Sequence, residues 1–191
     1  MDEGIVADEI TKLFGLKKDD YILFLGRLVP EKCVLNLIQA YKRVKTDKKL
    51  VIAGGTSDST DYVQKLKDES ANNSNIIFTD FVQGKVLEEL YSNAYLYVLP
   101  SNLEGMPLSL LEAMSYGNCC LTSDIPECSD VIGEFGVTFK KGDADDLTKK
   151  LQDLCDDADM VNLLSQKSAD YICNRYKWDD ITDQTLQLYG V

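Results

Sequence analysis

Short apolar runs separated by stretches of helical spacing dominate this chain. Six runs stand out: YILFLG (21–26), KLVIAG (49–54), NIIFTD (75–80), YLYVLP (95–100), CCLTS (119–123) and the weaker GVTF (136–139). Between them, helical spacing predicts helices over 31–45, 60–70, 85–93, 107–116 and 144–155, with two more beyond. Strands that are apolar throughout, rather than alternating, belong to a sheet covered on both sides, and the intervening helices serve as crossovers. The pattern therefore predicts an α/β fold: a doubly wound parallel sheet of about six strands, helices on both faces and right-handed crossovers. A leading amphipathic helix is expected over 1–19, the core over 20–150 and C-terminal helices over 151–191. With no internal repeat and no second apolar core, the 191 residues read as one domain.

Composition narrows the function classes. Twenty Lys and Arg stand against 32 Asp and Glu, a net charge of -12 that repels nucleic acid and anionic lipid, so an anionic ligand must be held by local donors. The absence of histidine removes any Ser/His/Asp or Cys/His nucleophile system. Six cysteines occur without a CxxC pair, and Cys119 and Cys120 are adjacent, which argues against a zinc site and a disulfide framework and for a reducing, cytoplasmic setting. No apolar stretch approaches 18 residues, and the acidic start MDEGIVADEITKLFG is not a signal peptide.

In a sheet of this kind, ligands sit at the carboxyl ends of the strands. After the first strand, GRLVPEKC offers Gly26 for close backbone approach, the forked charge of Arg27, and Lys32 near the start of the next helix. Taken alone, Arg27 and Lys32 read either as solvated surface charges or as a diphosphate clamp. Gly54 and Gly55 after the second strand mark a tight turn or a ligand contact. The loop around Val82 and Gly84 after the third is an ordinary helix entry or an edge for a flat base.

The richest stretch is SNLEGMPLSLLEAM, 101–114. Gly105 turns the loop, Pro107 begins a helix that Gly117 stops, and the N–H groups of Leu108, Ser109 and Leu110 are expected to be free for an anion. Glu112 lies three residues after Ser109, so its carboxylate leans back over the first turn toward Glu104 in the loop. Both acids are expected to face one pocket, the alternative being a surface acid plus a helix-dipole acid.

In order, YILFLGRLVPEK, LVIAGG, IIFTDFVQG, ELYSNAYLYVLPSNLEGMPLSLLEAMSYG and TSDIPE resemble the C-terminal, nucleotide-sugar-binding half of the retaining GT-B glycosyltransferases of group 1 (family 4). The resemblance covers about 20–150, and more loosely the helical tail. It implies a Rossmann-like domain, one half of a GT-B fold, that binds the donor, with a uridine nucleotide favoured because Gly84 offers no side chain to a base edge. By its terms Arg27 and Lys32 neutralise the donor diphosphate without a metal, Glu104 binds hydroxyls of the transferred sugar, and Glu112 holds the ribose. Gly105, Met106 and Leu108 wrap sugar and phosphate, with Gly26, Gly54, Val82 and Ser109 also lining the donor.

Two departures accompany the resemblance. Cys33 stands where the family commonly has glycine, and the family's N-terminal acceptor-binding domain is absent from this chain. The expected setting is cytoplasmic, or peripheral to the inner membrane face through that missing half. The alternatives are a stand-alone nucleotide-sugar-binding or partner-binding subunit and half of a nucleotide-sugar epimerase. A dinucleotide oxidoreductase is disfavoured because GRLVPE lacks G-x-G-x-x-G.

Overall fold

The computed structural model describes residues 5–55, 60–177 and 186–187. Helix α1 (Glu9–Phe14) leads into β1 (Tyr21–Leu25), a 3₁₀ turn (Pro30–Lys32) and α2 (Val34–Tyr41). There follow β2 (Lys49–Ala53), α3 (Thr60–Ser70), β3 (Ile76–Asp80), α4 (Lys85–Ser92), β4 (Leu96–Leu99), α5 (Leu108–Ser115) and β5 (Cys120–Ser123). Helix α6 (Pro126–Ile132), β6 (Val137–Phe139), α7 (Ala144–Asp156) and α8 (Ala158–Arg175) complete the described elements.

All pairings are parallel, and the strand order is β3-β2-β1-β4-β5-β6. The doubly wound Rossmann-like architecture is thus the one the apolar runs predict. Tyr21 to Phe24, Leu96 to Leu99 and Cys120 to Ser123 are buried, because helices cover the sheet on both sides. Helix α2 packs on α3 and α7, while α5 packs on α6 and α8. From β1 the chain winds outward through β2 to β3, then crosses back to β4 and winds the other way. Strand β1 pairs β2 on one side and β4 on the other, so the winding reverses between β1 and β4 and leaves a crevice at their carboxyl ends.

The structure corrects several boundaries. The leading helix occupies only Glu9–Phe14 of the expected 1–19, stopped by Gly15 at φ 64. Its start is held from α4: the buried carboxylate of Glu89 accepts the N–H of Asp8 at 2.9 Å and of Ile10 at 3.0 Å through Oε2. The helix expected over 31–45 is split, because Cys33 adopts a left-handed conformation between the 3₁₀ turn and α2. Helix α6 is not among the helices that the spacing predicts; it has Pro126 at its first position, Gly133 after its end, and Cys128, Val131 and Ile132 buried. Of the two C-terminal helices, the second falls mostly outside the described residues. Among the described residues no helix is long and apolar enough to cross a membrane.

Candidate functional site

The loops leaving β1, β2 and β3 are joined to one another by backbone hydrogen bonds. Gly26 N–H donates to Ala53 O (3.0 Å), Leu28 N–H to Gly55 O (3.0 Å), and Gly54 N–H to Asp80 O (2.9 Å). At Gly54, φ is 136° and a Cβ would lie 1.9 Å from Gly26 O. Glycine is required there by the packing of one loop on its neighbour, which accounts for Gly54 without a ligand. Val82 is half-buried against the core, whereas Phe81 is 75% exposed and borders Gly55. Sequence reasoning missed Phe81, although an aromatic residue directly after a strand's carboxyl end was the available signal.

Across the β1/β4 crevice the two loops meet. Asn102 N–H donates to Glu31 O at 2.8 Å, tying the loop after β4 to the 3₁₀ turn after β1. That brings Lys32 Nζ to 2.6 Å from Glu104 Oε1, with side chains only 13% and 6% exposed. Lys32 is therefore not a solvated surface charge; its charge is balanced by the acid expected to hold sugar hydroxyls. Arg27 is exposed and has no ion-pair partner among the described residues, so it supplies the uncompensated cation. Cys33, at φ 52 and ψ 33, occupies backbone space that glycine enters without strain, which gives the family's glycine a backbone rationale.

The approach to α5 departs in detail from expectation. Leu108 N–H donates to Met106 O (2.9 Å), and Leu110 and Leu111 N–H donate to Pro107 O (2.9 and 3.1 Å), so Leu108 and Leu110 are not free donors. The N–H groups of Glu104, Gly105, Met106 and Ser109 have no intramolecular acceptor among the described residues. A run of free amides thus remains, displaced from the helix's first turn toward the loop, and still suited to an anion.

Glu112 is exposed, and its Oε2 accepts the Tyr91 hydroxyl at 3.0 Å. The same hydroxyl lies 3.3 Å from Ser109 O, so the carboxylate does lean back over the first turn. Glu112 borders a cavity of about 520 Å³ between α5 and α8, together with Met106, Leu108 and Tyr176; Glu104 does not line it. The two acids are held by different partners, Lys32 and Tyr91, and do not share that cavity. Ser109 Oγ is bonded to the Tyr97 hydroxyl at 2.9 Å, which also reaches Leu25 O at 3.1 Å. Burial pushes both tyrosines far above their ordinary pKa, so they remain hydrogen-bond donors across the working pH range. Cys119 and Cys128, likewise desolvated, are pushed up to about 12 and are poor nucleophiles. Among the described residues no group of three His, Cys, Asp or Glu is placed to hold a metal ion.

Comparison with known proteins finds one family and several relatives. The family described as glycosyl transferases, group 1, matches residues 7–175. An uncharacterized glycosyltransferase of Methanocaldococcus jannaschii is 28% identical over 182 residues, covering 93% of this chain and 46% of that protein. O-antigen chain mannosyltransferase B of Escherichia coli is 26% identical over 185 residues, covering 94% and 48%. The chain therefore spans about half the length of these relatives. Among solved structures, Anabaena HepE in complex with UDP and glucose superposes with a TM-score of 0.86 at 16% identity, over 95% of this chain and 51% of its own. Sucrose-phosphate synthase of Thermosynechococcus elongatus gives 0.83 at 22% identity, over 98% and 49%. At these identities the structural likeness establishes the shared fold.

Proposed function

The chain belongs to the group 1 glycosyl transferases, and on that premise we propose that it is the donor-binding half of a retaining glycosyltransferase. The donor is a nucleoside-diphosphate sugar, with a UDP-sugar favoured, and the whole enzyme serves glycan or polysaccharide biosynthesis in the cytoplasm. One observation carries the proposal: Lys32 from the β1 loop meets Glu104 from the β4 loop at 2.6 Å, in the loop that supplies the free amides leading into α5, on the side where the sheet reverses its winding and where Arg27 follows β1.

The roles follow from charge and position. As the bond between sugar and diphosphate breaks, negative charge grows on the leaving phosphate. Arg27, Lys32 and the amides of Gly105, Met106 and Ser109 would stabilise it, and losing one such donor typically costs about 3 kcal/mol of barrier. Glu104 would accept hydrogen bonds from the transferred sugar, and Glu112 from the ribose. Phe81 and the loop at Val82 offer an apolar edge for the base. A metal is not required for charge neutralisation in this reading. The acceptor belongs to the other half of a full-length protein, in keeping with the lengths of the relatives. HepE's complex with UDP is in line with a uridine donor.

Alone, the chain is expected to bind a nucleotide sugar weakly and not to turn it over. Calorimetric titration of Lys32→Ala tests the diphosphate role: binding of a nucleoside diphosphate should fall far more than binding of the nucleoside. Equal losses would remove that role from Lys32.

A further inference from the structure

We infer that Tyr91 is a positioning residue for Glu112, fixing one carboxylate oxygen so that the other is aimed at a vicinal diol. The inference rests on the donor-site reading above and adds a residue that the spacing of Glu104 and Glu112 does not reveal.

The geometry is specific. Glu112 is exposed on α5, and a solvated glutamate ordinarily samples many rotamers. Tyr91 comes from a different element, α4, and is 1% exposed. Its ring stacks on Tyr116 with centroids 5.4 Å apart and planes at 13°, and lies 6.1 Å from the Tyr97 ring. A ring packed in this way cannot swing to follow the carboxylate, so the carboxylate is held by the ring. The single phenol proton faces Glu112 Oε2 at 3.0 Å and Ser109 O at 3.3 Å; the charge-assisted bond to the carboxylate is the shorter. Tyr97 fixes the same turn from beneath through Ser109 Oγ and Leu25 O, linking Glu112's helix to the end of β1. With Oε2 holding the Tyr91 hydroxyl, Oε1 keeps both lone pairs for the two hydroxyls of a ribose. Burial, with Tyr97 and Glu112 beside it, keeps the phenol protonated, so it remains the donor in this bond.

The test uses calorimetric titration of the chain with UDP, GDP and ADP, and with the 2′,3′-dideoxy form of whichever binds most tightly. Tyr91→Phe should weaken the ribonucleotide about 5-fold, the scale of one lost hydrogen bond, and leave the dideoxy form unchanged. In a Glu112→Gln background Tyr91→Phe should have no further effect. Leu66→Ala, on the buried face of α3 and leaving the Tyr91–Tyr116 stack intact, serves as the packing control: the melting temperature falls while the ribo-to-dideoxy preference is kept. If Glu112→Gln weakens the ribonucleotide but Tyr91→Phe does not, or if Tyr91→Phe weakens both nucleotides equally, the positioning role is overturned and the donor site stands. If Glu112→Gln has no effect, or the unaltered chain binds none of the three diphosphates, the donor-site reading itself fails.

Discussion

Replacing Glu104 by Gln should raise, not lower, the affinity of the chain for a free nucleoside diphosphate. The reason lies in the Lys32–Glu104 pair, with an N–O distance of 2.6 Å and exposures of 13% and 6%. At an effective dielectric of about 20 two unit charges at that distance attract by about 6 kcal/mol. Desolvation of both groups cancels most of this, leaving a net hold of roughly 1–2 kcal/mol that an incoming diphosphate must overcome to recruit Lys32. Glu104→Gln keeps the shape, releases Lys32, and removes a negative charge beside the phosphates. The expected gain for UDP, or for GDP or ADP if one of those binds, is about 10-fold, since each ~1.4 kcal/mol is tenfold. The corresponding sugar nucleotide should gain less, because the carboxylate expected to receive its hydroxyls is gone. Titration calorimetry of both ligands on both proteins reads this as a change in the ratio of two dissociation constants. Weaker diphosphate binding by Glu104→Gln would refute the competition and show that the acid is needed to aim the lysine.

Other consequences concern particular residues. Gly54→Ala places a Cβ 1.9 Å from Gly26 O at a left-handed φ and should cost about 3 kcal/mol, a fall of roughly 6–12 °C in melting temperature by calorimetry. Gly105 has nothing within 4 Å of an added Cβ, so Gly105→Ala should leave the melting temperature unchanged while weakening nucleotide-sugar binding. Chelation with EDTA should leave nucleotide affinity unaltered in the same titration. For Glu89, burial alone raises the carboxyl pKa, but the N–H groups of Ile10 and Asp8, helped by the Lys85 ammonium, hold it below its ordinary 4.5. A depressed folded-state pKa contributes stability that is present above 4.5 and lost as the pH falls below it. The melting temperature of Glu89→Gln should therefore lie below that of the unaltered chain at pH 7, and the gap should close below pH 4.5.

Strands were legible in this sequence because each is a continuous apolar run, and the helix over 60–70 because its polar face is uninterrupted. Helix α6 gives no periodic signal because seven residues carry too few turns, although Pro126 and Gly133 bracket it. Spacing and family resemblance picked out Arg27, Lys32, Glu104 and Glu112 as candidates, but not the partners that hold the acids. The Lys32–Glu104 contact requires β4 to lie beside β1, and local pattern does not encode strand order. The same holds for the Tyr91–Glu112 bond, which joins two helices, and for Gly54, whose constraint comes from a carbonyl 28 positions earlier in the chain. At the start of α5, Pro107 as cap let Met106 and Pro107 carbonyls capture Leu108 and Leu110, a turn geometry that periodicity does not specify.

Mapping backbone amide shifts by solution NMR during titration with UDP, and with GDP and ADP in parallel, tests the central claim most directly. If the β1/β4 crevice is a nucleoside-diphosphate site, at least one of the three shifts the amides of Gly26, Arg27, Gly105, Met106 and Ser109 saturably, with Phe81 and Val82 following the base. Shifts confined to other surfaces, or none with any of the three at millimolar concentration, would contradict it.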